Sequence, residues 1–155
     1  ELLKTRFWDM FIVDALIGNW DRHNGNWGFL YNANTDEVSL APVFDCGSSL
    51  YPQADDELMT RILNNKNEFN HRIFDIPLSA ITYNGKKINY FNFLSEGIFE
   101  DCNTALKRIL SRIDMKKFYE IIDGTPTVTD IQNEFYKTML TARKERILDF
   151  AMSKI

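Results

Sequence analysis

The sequence predicts a mainly α-helical domain with a short β-hairpin near its start, and three observations carry that reading. Residues 2–17 are apolar on nearly every side, from Leu2, Phe7 and Trp8 through Phe11, Ile12, Leu16 and Ile17. A helix of that kind is enclosed by a domain rather than laid on its surface. From Phe91 onward, apolar residues recur at three-to-four spacing, the period of helices with one buried face. Between these regions, two short apolar runs flank the polar turn Asn32-Ala33-Asn34-Thr35-Asp36, the signature of paired strands. With 155 residues, the chain reads as one domain, 1–155, long enough to enclose a core.

The elements follow in order. Gly18 ends the first helix, because glycine takes the left-handed cap conformation without a Cβ penalty. The hairpin strands run from Trp27 to Tyr31 and from Val38 to Phe44, so their outer ends, Asn26 and Asp45, are predicted neighbours. Residues 48–55 read as loop. A helix starts at Asp55 or Asp56 and reaches Leu63, its acidic first turn suiting the helix dipole. Asn64 to Asn67 breaks it, and residues 69–74 read equally as helix or strand. Asn84-Gly85 reads as a type I′ turn in a second hairpin, expected to be a small surface ornament. One long helix is expected from Phe91 to Ile113, keeping its apolar spacing over about six turns. Asp114 caps a shorter helix that Gly124 and Pro126 end. A final helix opens at Thr127–Asp130, with Ile131, Phe135, Met139, Ile147 and Ala151 facing inward. Its outer face, Lys137, Arg143, Lys144, Glu145 and Arg146, is expected to be solvated.

Composition narrows the function classes. Hydrophobic residues make up 45% and aromatic residues 14% of the chain, which excludes a disordered segment. A net charge of −4 without a long basic run argues against direct nucleic-acid binding. No apolar run reaches the length of about 18 residues that a membrane helix needs. Two isolated cysteines, Cys46 and Cys102, give no disulfide framework and fit a reducing, cytoplasmic setting.

The chemistry concentrates in residues 17–50. Asp21, His23 and Asn26 lie on the loop after the first helix, and Asp45, followed by Cys46-Gly47, lies at the far end of the hairpin. Two carboxylates and an amide that converge in this way are hard oxygen ligands, suited to Mg2+ rather than to zinc or copper. The order matches the phosphoryl-transfer template: a loop aspartate as proton acceptor, an asparagine five residues on, then a metal-binding aspartate beyond a hairpin. Taken singly, each of these residues reads as an ordinary turn former or strand end. Their joint order is what carries the chemistry.

Gly18-Asn19-Trp20-Asp21-Arg22-His23-Asn24-Gly25-Asn26, followed by Leu40-Ala41-Pro42-Val43-Phe44-Asp45, resembles the catalytic core of HipA-like kinases. Those are bacterial serine/threonine kinases, several of them toxins of toxin–antitoxin pairs. Asp21-Arg22-His23-Asn24 also resembles the phosphoinositide lipid kinases, which share the distant architecture. The resemblance implies the C-terminal catalytic lobe of a kinase that uses ATP and Mg2+ to phosphorylate a Ser or Thr hydroxyl. It makes Asp21 the catalytic base, His23 the histidine that shapes the loop, and Asn26 and Asp45 the metal and nucleotide ligands. Gly25 stands where many relatives carry Lys, and Arg22 is left to meet either a phosphate or a buried carboxylate. A protein substrate and an antitoxin protein are the partners the resemblance implies. Its rivals are a kinase-shaped interaction module without catalysis, and a lipid or small-molecule kinase.

A kinase of this type also needs a nucleotide-covering glycine loop and a strand lysine. The seven glycines include no Gly-x-Gly, and Lys4 is the only lysine before the motif. The expectation is therefore a piece of a longer protein, lacking the N-terminal lobe that would be its first partner and inactive alone.

Overall fold

In the computed structural model, which describes residues 1–155, helix α1 (Leu2–Ile17) is the axis of the fold. Phe11, Ile12, Ala15 and Leu16 are fully enclosed, whereas Leu2 remains 72% exposed and Leu3 is exposed beside it. The expectation of burial along the whole helix holds only from Met10 onward. Gly18 ends α1 in the left-handed conformation at φ 65°, its N–H donating to Asp14 O.

Strands β1 (Phe29–Asn32) and β2 (Glu37–Leu40) pair antiparallel, Phe29 opposite Leu40 and Asn32 opposite Glu37. The second strand stops four residues short of Phe44. The ladder ends with Ala41 N–H donating to Gly28 O, and Pro42, which has no N–H, cannot continue it.

Helices α2 (Asp56–Asn64) and α3 (Lys66–Phe74) settle the ambiguous stretch as helical. Asp55 caps α2 through Leu58 N–H, and Asn65 caps α3 by accepting from Asn67 and Glu68 N–H. The asparagine run thus both ends one helix and starts the next. Strands β3 (Leu78–Tyr83) and β4 (Lys86–Asn89) form the second hairpin, with Asn84 at φ 50° and Gly85 at φ 74° as the type I′ turn requires. It is no ornament: Ser79 and Ile88 are buried, and Asn89 both caps the next helix and donates to Phe74 O.

The expected long helix from Phe91 to Ile113 is two helices, α4 (Tyr90–Glu96) and α5 (Glu100–Leu110). Gly97, left-handed at φ 60°, breaks it, and Asn103 donates its amide to Gly97 O. Ile98, assigned to the buried face by its spacing, is 65% exposed at the break. Helix α6 (Met115–Asp123) starts at the Asp114 cap as expected. Helix α7 (Asp130–Arg143) opens with a capping box, Thr129 bonding Gln132 N–H while the Gln132 side chain returns to Thr129 N–H. It then runs into a π-helical turn, Lys144–Asp149, and a last short helix, α8 (Phe150–Met152). Ile147 within that turn and Ala151 in α8 are buried as expected. Arg143, expected among solvated residues, is 1% exposed.

One cluster of 22 buried residues joins α1 to helices from the middle and the end of the chain. The Arg108–Asp9 ion pair, 2.6 Å, fastens α5 to α1. No helix is long and apolar enough to cross a membrane.

Candidate active site

The site is built on a buried charge. Asp14 is the one acidic residue enclosed in α1, at 1% exposure, a placement tolerated only with a partner. Arg22 supplies it, donating Nε to Asp14 Oδ2 at 2.9 Å and Nη2 to Asp14 Oδ1 at 3.1 Å. Burial works against the charge on Arg22, and the Asp14 carboxylate more than offsets it, so the guanidinium's pKa moves up. The structure thus chooses the buried carboxylate for Arg22, not a phosphate.

From that anchor Arg22 reaches across the site. Its Nη1 donates to Asn26 O at 2.6 Å and to Phe44 O at 2.5 Å, and its Nη2 meets Cys46 Sγ at 3.3 Å. One nitrogen therefore holds the end of the loop against the segment leading into Asp45. The hairpin brings Asn26 and Asp45 into adjoining backbone segments, and the guanidinium is the clamp between them. Further on, Leu50 N–H donates to Ile17 O and Trp20 N–H to Ser48 O, closing the segment after Asp45 onto the head of the loop.

Asn19 organises the other end. Its amide donates to Asp14 Oδ1, its Oδ1 accepts from Asp21 N–H, and its carbonyl accepts from the Tyr90 hydroxyl at 2.7 Å. Arg143 donates Nε to Ala15 O and Nη1 to Arg72 O. Its guanidinium lies 3.5 Å from where a Gly18 Cβ would be. Burial pulls the Arg143 pKa down, and no carboxylate offsets it.

The residues named from the sequence fall as follows. The Asp21 side chain is about half exposed at 47%, and its Oδ1 lies 4.0 Å from His23 Nε2. Gly25 N–H donates to His23 Nδ1 at 2.9 Å, so the ring carries its proton on Nε2, on the side of Asp21. A Cβ on Gly25 would come within 2.9 Å of that ring, so the glycine leaves room for the histidine. Asn26 is buried, and its Nδ2 donates to Asp21 O at 2.8 Å. That bond turns the amide oxygen away from the loop, with no protein donor upon it. Asp45 is exposed and left-handed at φ 55°, a conformation aspartate tolerates at some cost and one found at functional positions.

The donor types fit a hard divalent cation: an amide oxygen on Asn26 and a carboxylate on Asp45, both without protein hydrogen bonds. No group of three His, Cys, Asp or Glu side chains gathers anywhere in the molecule, so Asp21, His23 and Asp45 do not form one. Sequence reasoning missed Asp14, Asn19, Tyr90 and Arg143. Only Asp14 left a signal, a lone acidic side chain in the apolar second half of a helix. Asn19 stands in the Gly18–Asn26 motif without a role assigned to it, and Tyr90 and Arg143 act on backbone carbonyls of distant segments.

The chain has relatives among known proteins. Residues 3–117 match the HipA-like C-terminal domain family. The serine/threonine-protein kinase CtkA of Helicobacter pylori is 52% identical over 155 residues, covering 99% of this chain and 48% of its own length. The crystal structure of a Helicobacter pylori proinflammatory kinase CtkA superposes with a TM-score of 0.96 at 52% identity, over 99% of this chain and 56% of that one. The chain thus spans about half the length of the curated relative it matches. Its helical architecture with small hairpins is that of a kinase C-terminal lobe, and the chain belongs to the HipA-like C-terminal domain family.

Proposed function

We propose that the full-length protein is a serine/threonine kinase that transfers the γ-phosphoryl group of ATP to a side-chain hydroxyl, with Asp21, His23, Asn26 and Asp45 at its centre. One observation carries this reading. The Arg22 guanidinium, anchored on Asp14, holds the backbone of the Asp21–Asn26 loop and the segment entering Asp45 on a single nitrogen. The printed name of the Helicobacter pylori relative, a serine/threonine-protein kinase, supports the activity.

Each residue has a physical task. Asp21, half exposed and without a hydrogen-bond donor on its carboxylate, takes the proton of the acceptor hydroxyl. As that oxygen bonds the γ-phosphorus, the bond from phosphorus to the β–γ bridging oxygen breaks, and ADP leaves. The proton passes from Asp21 to solvent. His23 Nε2–H, held by the Gly25 contact, faces the gap beside Asp21 and orients the incoming oxygen. The Asn26 amide oxygen and the Asp45 carboxylate would hold Mg2+. When bound, the ion supplies neutralisation of the charge on the nucleotide phosphates. The contribution of the chain itself is positioning, worth several powers of ten when the reacting atoms are aligned.

The rest of the full-length protein supplies the nucleotide-covering lobe. Residues 1–155 hold no Gly-x-Gly segment, and Lys4 is engaged by Asp101 at 3.1 Å. The hairpin β1–β2 has no covering partner on either face: Phe29, Leu30, Tyr31 and Val38 are all more than half exposed. Such a contiguous apolar surface marks a docking site for another domain.

The test is phosphotransfer from radiolabelled ATP to Ser/Thr proteins by the full-length protein, with Asp21→Asn in parallel. Wild-type turnover with a loss of about a hundredfold or more in the variant supports the reading. Residues 1–155 alone should transfer nothing. Equal turnover by wild type and Asp21→Asn would remove Asp21 from the mechanism.

A further inference from the structure

A pocket of about 340 Å³ opens beside the catalytic loop, between α1, the loop itself and strand β3. Phe7, Met10 and Trp27 form one wall, Ile81 faces them from β3, and His23 and Asn24 form the rim. The Phe7 and Trp27 rings meet at 6.1 Å between centroids. We infer that this pocket receives an apolar side chain of the acceptor polypeptide, a residue close in sequence to the Ser or Thr that Asp21 activates. The inference rests on the kinase reading and names its substrate class: a protein strand, selected by a hydrophobic residue flanking the acceptor.

Position is the first argument. His23 belongs to the rim, and its Nε2 lies 4.0 Å from Asp21 Oδ1. In the inferred complex, a peptide whose acceptor hydroxyl reaches Asp21 places a flanking residue at that rim, successive residues of an extended chain rising about 3.3 Å each.

Chemistry is the second. At 340 Å³ the pocket is near the lower end of the range of about 300–1,000 Å³ for ligand sites, with room for one large side chain. Five of its nine lining residues are hydrophobic: Phe7, Met10, Trp27, Ala80 and Ile81. Its single cation, Arg22, is 1% exposed and already committed to Asp14, Asn26 O and Phe44 O. No free charge is left to hold a nucleotide phosphate or an inositol phosphate headgroup, either of which needs unpaired Arg or Lys.

The third argument is the strand. β3 pairs only with β4, in a two-stranded sheet, so its other edge has no strand neighbour. The pairing is regular at Thr82 opposite Lys87 and Tyr83 opposite Lys86, and its register shifts between Leu78 and Thr82, where Ala80 and Ile81 line the pocket. Irregular pairing of this kind re-aims side chains and recurs beside active sites. Pockets for alternate side chains beside a strand edge are one way in which sheets recognise extended peptides.

The experiment uses the full-length kinase and a set of Ser-centred peptides carrying Leu, Ala or Glu at each flanking position, with wild type, Ile81→Arg and Thr82→Arg. Thr82 is exposed, so its variant reports on the pocket mouth without disturbing packing. Wild type should prefer Leu over Ala at one flanking position by about tenfold in kcat/KM. Both arginine variants should lose that preference through the peptide KM, leave the KM for ATP unchanged, and favour Glu at the same position. A charge swap of that kind is an outcome that mere loss of structure cannot produce. A wild-type enzyme indifferent to every flanking position would overturn the inference while leaving the kinase reading intact. So would arginine variants that weaken all peptides and ATP alike. Phosphorylation of phosphoinositide vesicles but of no peptide would overturn it in favour of a lipid acceptor. Absence of any phosphotransfer would remove the kinase reading and the inference together.

Discussion

Arg22 and Arg143 are both buried arginines at the ends of the same catalytic loop, and they meet the cost of burial differently. Arg22 lies against the Asp14 carboxylate, while Arg143 has only the carbonyls of Ala15 and Arg72. Replacing Asp14 by Asn strands a guanidinium in the interior, which typically costs about 3–5 kcal/mol. Arg143→Met removes the charge itself and leaves Ala15 O without this donor, while Arg72 O keeps the Tyr51 hydroxyl, at about 1–3 kcal/mol. Urea unfolding of both variants should rank Asp14→Asn as the more damaging, and the reverse order would contradict the charge assignment. At this scale the sequence was readable only where chemistry is local. Asp21, His23, Asn26 and Asp45 stand in a recognisable order within 25 consecutive residues. Tyr90 and Arg143 do not, because Tyr90 reaches Asn19 O across 71 residues and Arg143 reaches Ala15 O across 128. Spacing along a chain carries no trace of such contacts.

Elements were legible where a cap or a turn announced them. Gly18 after α1, Asp114 before α6, Thr129 before α7 and Asn84-Gly85 between β3 and β4 all stand where side-chain chemistry places them. The failures came where apolar periodicity ran through a break. Phe91, Leu94, Ile98 and Cys102 keep helical spacing, yet Gly97 turns left-handed between α4 and α5 and puts Ile98 into solvent. Likewise Arg143 stands four residues after Met139 and four before Ile147, on the inward face, and only its charge had set it among the solvated residues. Gly97→Ala tests the first point. At φ 60° an alanine is strained, and its Cβ would lie 2.8 Å from Ile155 Cγ2. The substitution should cost about 1 kcal/mol or more, lowering Tm by about 2–4 °C in a chain of this size. An unchanged or raised Tm in calorimetry would mean that the break between the two helices is not held by this conformation.

On the scale of the molecule, α1 works as a strut that delivers a loop, and the hairpin works as a return that delivers an aspartate to the same place. The far helices are the frame: α4 contributes Tyr90, α7 contributes Arg143, and both grip the backbone where α1 ends. That division explains why the catalytic stretch has exposed side chains on a backbone fastened from beneath. It also separates the acidic residues: Asp21 is half exposed on the loop, while Asp45 follows Phe44, which the Arg22 clamp holds with Asn26. The measurement that tests this account most directly is a Mg2+ and ATP titration of single-turnover phosphotransfer by full-length Asp21→Asn and Asp45→Asn. Asp21→Asn should keep wild-type Mg-ATP affinity while its rate falls by about a hundredfold or more. Asp45→Asn should lose Mg2+ and Mg-ATP affinity together with rate, because it removes a formal charge from the metal's ligands. If Asp45→Asn binds Mg-ATP as wild type does, the two aspartates do not divide proton and metal between them, and the central claim fails.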